Sequence, residues 1–509
     1  MRSSSFLVAL AMSCPALALF AGCSDDASSS SSSSTGGTAD GGADAAPLAP
    51  FSLEVPCADT ADSLYGDPGA LPAEKGAIIR CVKDKEISAA DLESQARANN
   101  GYDGPAFTSG ATVYRVLYRT ERGDAKATAG YSVAQVYVPT KPRADKLPLV
   151  VASRGSRGQA AKCAPSKNDP AGDYVKPDYE HQVYPLAGAG YVVIASDLAG
   201  YANYGAANNP PSAYADVLDV GKSTLDAARA LRNMFKSSML DKAVFVGHSQ
   251  GGGTALGALA IAESYGFDIP IAGVGVYSPL WLTARTNAGV LNQSKSPEGR
   301  KFSDSAVPVV SLWYLYTKAE LREGPGKGLE IFQADKRAAI KDFVDNTCWS
   351  QSYPALEKLG PNLGAVLDPE FMKSVGVLGS CAAGDALCDK WFTYFDADRP
   401  PLTGKAGTVP IQNFYGLKDT TIPPSFAACV LKKMKKDGAK HTMCIDDAAD
   451  HGTIVSKKAA YMNDWIASLT LGTPAPATGC EKDQSKLVDD KGAPVECDTI
   501  LDLVSVDDD

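Results

Sequence analysis

Basic residues are in the minority here, with 49 lysines and arginines against 59 aspartates and glutamates and a formal net charge of −10. Binding phosphate requires a basic surface, so this balance argues against a nucleic-acid partner. Histidine is scarcer still, with four in 509 residues. The four, His181, His248, His441 and His451, are scattered, and no Cys-x-x-Cys pair occurs. That argues against a zinc site, and no metal is expected. The apolar stretch from Phe6 to Phe20 falls short of the roughly 20 residues needed to span a bilayer. No internal repeat is evident, which removes propeller architectures. What remains is an ordinary globular composition, 45% hydrophobic and 21% charged.

The chain opens with Met1-Arg2, an apolar stretch and Ala21-Gly22. One positive charge, a short apolar core and small residues at the end make residues 1–22 a secretory signal. Leu19-Phe20-Ala21-Gly22-Cys23 resembles a bacterial lipobox, with Phe20 where leucine is usual. The resemblance implies acylation of Cys23 and attachment to a membrane. With Ser24 rather than aspartate next, it implies the outer membrane. The plainer reading is a signal peptide cut nearby with an incidental cysteine. Residues 23–50 carry an unbroken serine run, Ser28–Ser34, then Gly, Thr, Ala and Asp. Such a segment has nothing apolar to bury and reads as a flexible tether.

Of the twelve cysteines, Cys14 leaves with the signal and Cys23 would be acylated, so ten remain. An even number in an exported chain reads as disulfides. Pairing is not fixed by sequence. Proximity suggests Cys57–Cys81, Cys381–Cys388, Cys429–Cys444 and Cys480–Cys497, which leaves Cys163 with Cys348.

From Val113 onward, strand-like runs alternate with helical patterns. The strands read as Val113–Thr120, Tyr131–Val138, Pro148–Ala152, Tyr191–Ala195, Ala243–Val246, Ile271–Tyr277 and Val409–Tyr415. The later runs are short and continuously apolar, as buried parallel strands are. Helices are expected over Ala213–Phe235, Gly252–Tyr265, Ala427–Lys436 and Ile454–Ile466. The alternation predicts an α/β protein with a mostly parallel central sheet flanked by helices. Two regions break it. Residues 51–110 read as an irregular N-terminal extension. Residues 281–400 part the two segments of the core, 111–280 and 401–470. An insertion of that length, with helical pieces and Trp313, Trp349 and Trp391, should be a folded helical cap. Residues 471–509 form a tail with the expected Cys480–Cys497 loop.

Val244-Phe245-Val246-Gly247-His248-Ser249-Gln250-Gly251-Gly252-Gly253 holds a Gly-x-Ser-x-Gly pattern. The pattern alone is common; here an apolar strand precedes it and a small-residue helix follows. In a nucleophile elbow the serine sits on a sharp strand-to-helix turn, and the glycines are needed where backbone segments nearly touch. Ser249 is therefore the candidate nucleophile. A serine hydroxyl needs a base. In an elbow of this kind the chain order is serine, acid, base, which excludes His181. His248 should point elsewhere, since strand side chains alternate faces. Of the two that remain, His451 follows the last strand-like run, in Asp446-Asp447-Ala448-Ala449-Asp450-His451-Gly452, whereas His441 opens that run. His451 is the better base. Asp419, just past Val409–Tyr415, is the acid that would orient it; the alternative is a turn aspartate capping the next helix. Asp197 precedes the nucleophile and is read as shaping the loop Asp197–Tyr201. A tetrahedral oxyanion needs backbone N–H donors. Gln250 should give one. The loop Ser153-Arg154-Gly155-Ser156-Arg157-Gly158 should give the other, from Gly155 or Ser156.

With these residues placed, the chain resembles the secretory lipase family of bacteria and fungi, the lipase A type, within the α/β-hydrolase superfamily. The resemblance rests on Arg154–Gly158 followed by Cys163-Ala164-Pro165-Ser166, on Gly190–Asp197, on Leu225–Leu231, on Gly247–Gly251, and on Gly416 and Asp419 with Ile422-Pro423-Pro424. Arg154 stands where bacterial relatives often have histidine. The resemblance implies an α/β-hydrolase core, a Ser-Asp-His triad, a helical lid, no cofactor, and a disulfide from Cys163 into the lid. The expected activity is that of a serine hydrolase cleaving hydrophobic acyl esters, anchored to a membrane through Cys23. Two other readings differ from it. A serine peptidase of the same fold would need a site for the substrate's amine, and comparing ester with amide substrates would separate it. A non-catalytic surface lipoprotein binding lipid or a partner would turn over neither. Oligomeric state is not indicated.

Overall fold

Segments such as Leu147–Ser153 and Val193–Ser196 are buried at every residue, which suits strands covered on both faces. In the computed structural model they lie inside a nine-stranded sheet ordered β1-β2-β3-β5-β4-β6-β7-β8-β9. The strands are β1 (Ile78–Ile87), β2 (Ala111–Glu121), β3 (Ala129–Pro139), β4 (Leu147–Ser153), β5 (Val193–Ser196), β6 (Met239–His248), β7 (Ile271–Tyr277), β8 (Ile411–Gly416) and β9 (His441–Asp446). β1, β2 and β3 pair antiparallel, as do β3 and β5; from β5 through β9 every pairing is parallel. The structure describes residues 51–167, 178–281, 284–296, 299, 301–303, 306–477, 480, 484–488 and 492–493. The signal segment, Cys23, the tether, Cys497 and most of the tail lie outside the described residues.

Helices α1 (Ala89–Asn100), α2 (Asp178–Gly188), α3 (Val217–Phe235) and α4 (Gln250–Ile261) precede β7. Between β7 and β8 run α5 (Ala284–Gln293), α6 (Ala306–Arg322), α7 (Lys327–Glu330), α8 (Arg337–Asn346), α9 (Trp349–Glu357), α10 (Pro369–Val375), α11 (Ala386–Ala397) and α12 (Gly404–Thr408). α13 (Pro424–Lys436) and α14 (Thr453–Thr470) follow. α3 packs on α4, while α1, α2 and α14 pack together. The insertion between β7 and β8 has its own apolar core, separate from that of the sheet. Trp313 stacks on Phe343 at 5.9 Å, and Phe371 meets Trp391 edge-on at 5.1 Å.

A buried charge cluster fastens this insertion to the sheet domain. Lys318 of α6 lies 2.6 Å from Asp216 and 2.5 Å from Asp398. Arg322 also bonds Asp216, which caps α3 through the N–H of Asp219. Asp398 accepts from the N–H of Val217 and the hydroxyl of Tyr314. Burial pushes the Asp398 carboxyl up to about 6 against the pull of Lys318. Burial works on Asp216 too, but Lys318 and Arg322 outweigh it and hold that carboxyl at about 2.

Three expectations are corrected. Residues 51–110 are not irregular: they contain the edge strand β1, α1 and the Cys57–Cys81 bridge. β1 escapes detection because its exposed positions carry Lys83, Lys85 and Glu86, with half-buried Asp84 between them, the charges that protect a sheet edge. α1 had a legible start, since Ser88 Oγ accepts from the N–H of Asp91. The helix expected from Ala213 begins at Val217; Ala215 has φ of +53° and Asp216 caps it. Among the disulfides, Cys57–Cys81, Cys163–Cys348 and Cys381–Cys388 form as expected. Cys444 bonds Cys480, so Cys429–Cys444 and Cys480–Cys497 do not form. Cys429 is disulfide-bonded elsewhere. Nearness in sequence misled because Cys444 lies on the outermost strand β9, where the chain returning after α14 brings Cys480 alongside, its sulfur 3.4 Å from the Met443 carbonyl oxygen.

Candidate active site

The site residues follow the C-terminal ends of the parallel strands β4, β6, β8 and β9, the edge where α/β sheets hold their ligands. Ser249 joins β6 to α4 with φ of +55° and ψ of −120°, a conformation that L residues rarely adopt. Surrounding hydrogen bonds fix it: its N–H donates to the Tyr277 carbonyl, and its own carbonyl accepts from Gly252 and Leu280. The flanking glycines are sterically required. A Cβ on Gly247 would fall 2.0 Å from the Gly251 carbonyl oxygen, and one on Gly251 would fall 2.0 Å from that of Ser153. The second approach brings the start of α4 against the end of β4. Ser249 thus stands at the N-terminus of α4, the end where the helix dipole favours negative charge.

His451 Nδ1 lies 2.8 Å from Asp419 Oδ2. A carboxylate only accepts, so Nδ1 carries the proton and Nε2 is free to accept one. Asp419 is buried, and its other oxygen accepts from the N–H groups of Thr421 and Ile422. The turn carrying Asp419 is tied to the loop carrying His451, because Lys418 N–H donates to the Ala449 carbonyl. Asp450 caps α14 through the N–H groups of Gly452 and Thr453; the Thr453 N–H holds its carboxyl below the usual range.

His248 was expected to point elsewhere. Its Nε2 lies 2.7 Å from the His451 carbonyl, and the two rings lie 4.7 Å apart. A carbonyl only accepts, so His248 donates. It ties the backbone of His451 to the residue beside Ser249. Nothing in strand alternation signals this, because the partner is a backbone atom on another loop. His441 sits at the opposite end of β9, with Nδ1 near the Ala439 carbonyl; at about 3.3 Å per residue the strand carries it well away from the C-terminal edge. His181 lies on α2, packed with α1 and α14.

Gln250 opens α4 and is buried, and Gly155 and Ser156 lie buried in the loop after β4. That loop is held from several sides. Ser156 Oγ lies 2.6 Å from the Tyr214 hydroxyl, and Tyr214 N–H donates to Thr317 of α6. The N–H of Trp349 donates to the Arg157 carbonyl, next to the Cys163–Cys348 bridge. Asp197 accepts from the N–H and hydroxyl of Ser166, so it shapes a loop rather than meeting Ser249. Burial pushes its carboxyl up to about 6. Among the described residues, no cluster of three or more histidines, cysteines or carboxylates suited to a metal occurs. No described helix is long and apolar enough to cross a membrane.

The pattern of the alpha/beta hydrolase family matches residues 170–403, which includes Ser249 and stops short of Asp419 and His451. A secreted triacylglycerol lipase of Malassezia globosa is 28% identical over 206 residues, 39% of each chain. Another, from Malassezia furfur, is 30% identical over 166 residues, 32% of this chain and 29% of that one. The chain therefore aligns with about two fifths or less of these relatives' length. In three dimensions it resembles the rice cell wall degrading esterase LipA of Xanthomonas oryzae, with a TM-score of 0.57, 15% identity, and coverage of 78% of this chain and 97% of that one. It also resembles Candida antarctica lipase A in its closed state, with a TM-score of 0.56, 17% identity, and coverage of 86% and 92%. The architecture is that of an α/β hydrolase. Parts of its sequence are similar to the secreted triacylglycerol lipases.

Proposed function

We propose that this protein hydrolyses carboxylic esters of hydrophobic acyl groups through Ser249, His451 and Asp419. The observation that carries the reading is the 2.8 Å contact of His451 Nδ1 with buried Asp419, on a loop that His248 ties to the serine elbow. In this reading Ser249 Oγ attacks the ester carbonyl while His451 Nε2 takes its proton. Asp419 holds the imidazole in the required tautomer and stabilises it as imidazolium. The oxyanion receives hydrogen bonds from the N–H of Gln250 and that of Gly155 or Ser156. Collapse passes the proton from His451 to the leaving alcohol, and water then cleaves the acyl-enzyme by the same steps in reverse. An apolar, aromatic-rich insertion beside the site favours a hydrophobic acyl group. The relatives named as secreted triacylglycerol lipases support export and ester substrates, and the disulfides fit an oxidising compartment. Acylation of Cys23 and attachment to the outer membrane belong to the same proposal.

The test is hydrolysis of p-nitrophenyl esters from acetate to palmitate, with parallel labelling by a fluorophosphonate. The parent should turn over esters and take one label, and Ser249→Ala should do neither. A folded parent that cleaves no ester and takes no label sinks the proposal.

A further inference from the structure

The loop after β4 and the loop after β5 each send one buried side chain into the other's backbone. Arg154 crosses from the first. Its Nη2 donates to the Asp197 carbonyl at 3.1 Å and to the Tyr201 hydroxyl at 2.7 Å, and its Nη1 donates to the Gly155 carbonyl at 3.0 Å. Tyr201 crosses back, donating from its hydroxyl to the Gly158 carbonyl at 2.6 Å. The guanidinium also stands over the tyrosine ring, 5.0 Å from its centroid. Arg154 is 3% exposed and Tyr201 2%, so these bonds are sheltered from competing water. The partners of this buried cation are carbonyls and a hydroxyl. The Asp197 carboxylate takes its hydrogen bonds from Ser166 and feels Arg154 only through space. Such an arrangement is a poor device for stability alone, because burying a cation costs more than such bonds usually return. It makes sense where geometry must be held.

We propose that Arg154 and Tyr201 are positioning residues that clasp both ends of the 155–158 loop and so aim its N–H groups at the oxyanion. The inference rests on the hydrolase reading. Gly155 is gripped at its carbonyl, so the peptide plane leading to the Ser156 N–H cannot rotate while Arg154 stays in place. Gly158 is gripped at the other end, where its φ of +95° and the approach of Thr347 leave no room for a side chain. The clasp touches no reacting atom. It keeps the donors from turning away in the ground state, so that they meet the charge as it forms, which is what preorganisation requires. Lysine at 154 has one charged nitrogen and cannot reach three acceptors in a fork.

The experiment compares Tyr201→Phe, Arg154→Lys and Arg154→Met with the parent on p-nitrophenyl butyrate, with active sites counted by fluorophosphonate. Tyr201→Phe deletes a single oxygen and should fold. Losing an oxyanion donor outright costs about 100- to 1,000-fold in turnover; a misaimed one should cost less. Expected for Tyr201→Phe is about a 10- to 100-fold fall in kcat per active site, with KM within about three-fold. The inhibition constant of a boronic acid, a tetrahedral mimic, should rise in parallel. Arg154→Lys should lie between the parent and Arg154→Met. If kcat per active site and boronate affinity stay within about two-fold of the parent while only melting temperature drops, the pair is structural and the proposal fails. A folded parent that takes no fluorophosphonate sinks the hydrolase reading and the clasp together.

Discussion

The sheet domain and the helical insertion hold their parts by different means. In the sheet domain the placement of the site is set by backbone. Gly247 and Gly251 let chain segments approach where no Cβ fits, Ser249 and Asp419 are fixed by peptide N–H or C=O groups, and His451 is held through its own carbonyl by His248 and through its ring by Asp419. The insertion is tied down by side chains. Lys318 and Arg322 grip Asp216, Asp398 accepts from Val217, and Cys163–Cys348 crosses between the regions. Backbone contacts come with the fold and change little from one side chain to another. Ion pairs and a disulfide are substitutable parts. The atoms proposed to react therefore belong to the region with the least freedom, and the insertion constrains the loop around Ser156 without supplying a reacting group.

This contrast can be broken at several points. The largest effect should come from the sheet domain. His451→Ala should lower ester turnover by about 10⁶-fold, as loss of a triad histidine does in a studied hydrolase, while melting stays near that of the parent. His441→Ala and His181→Ala should keep parental rates in the same assay; a dead His441→Ala would overturn the assignment of the base. Next comes Lys318→Met, which takes the paired cation from buried Asp398 and leaves Asp216 with Arg322 alone. Urea unfolding should show a loss of about 3–5 kcal/mol, and hydrogen exchange should place the first loss of protection in α6 and at the start of α3. Equal protection throughout would mean that the cluster is not the fastening. Replacing Cys163 and Cys348 by serine should cost about 2–5 kcal/mol. Turnover should fall with it only if the disulfide also steadies the loop at Arg157 and Gly158.

The smallest effect is one of pH. The Asp398 carboxyl is held up at about 6, above the ordinary value near 4. Between those values the folded state binds the proton more tightly than the unfolded one, so stability falls as pH rises from about 4 to 6 and is unaffected by this group beyond. Asp216, held down at about 2, acts oppositely: its contribution is lost as pH falls from about 4 to 2. Unfolding measured across pH 4–6 should show a decline on the order of 2 kcal/mol. Asp398→Asn should make that decline shallower, and an unchanged slope would assign it to other groups such as Asp197.

Much of the candidate site was legible in the sequence. Gly247–Gly251 with its flanking strand and helix marked the elbow, and chain order separated His451 from His181. The alternation of strands and helices marked the sheet. What escaped had physical reasons. β1 carries charges along an edge and shows no apolar alternation. The Cys444–Cys480 bridge depends on where the chain returns after α14, which no local pattern records. His248 acts through a backbone carbonyl of a residue two hundred positions away, and such an acceptor has no sequence signature.

By itself the sequence determined the class of fold and pointed to the candidate residues Ser249, Asp419 and His451, because these rest on local rules: apolar runs for buried strands, small residues where backbone crowds, and an expected order of nucleophile, acid and base. Only the tertiary structure decided which groups meet. Asp216, Lys318 and Asp398 lie far apart in the chain, and their contacts exist because two separately packed regions are pressed together; Arg154 and Tyr201 meet because the sheet sets β4 beside β5. A buried charge finds its partner through the whole fold, and the cost of leaving it unpaired is what selects that partner.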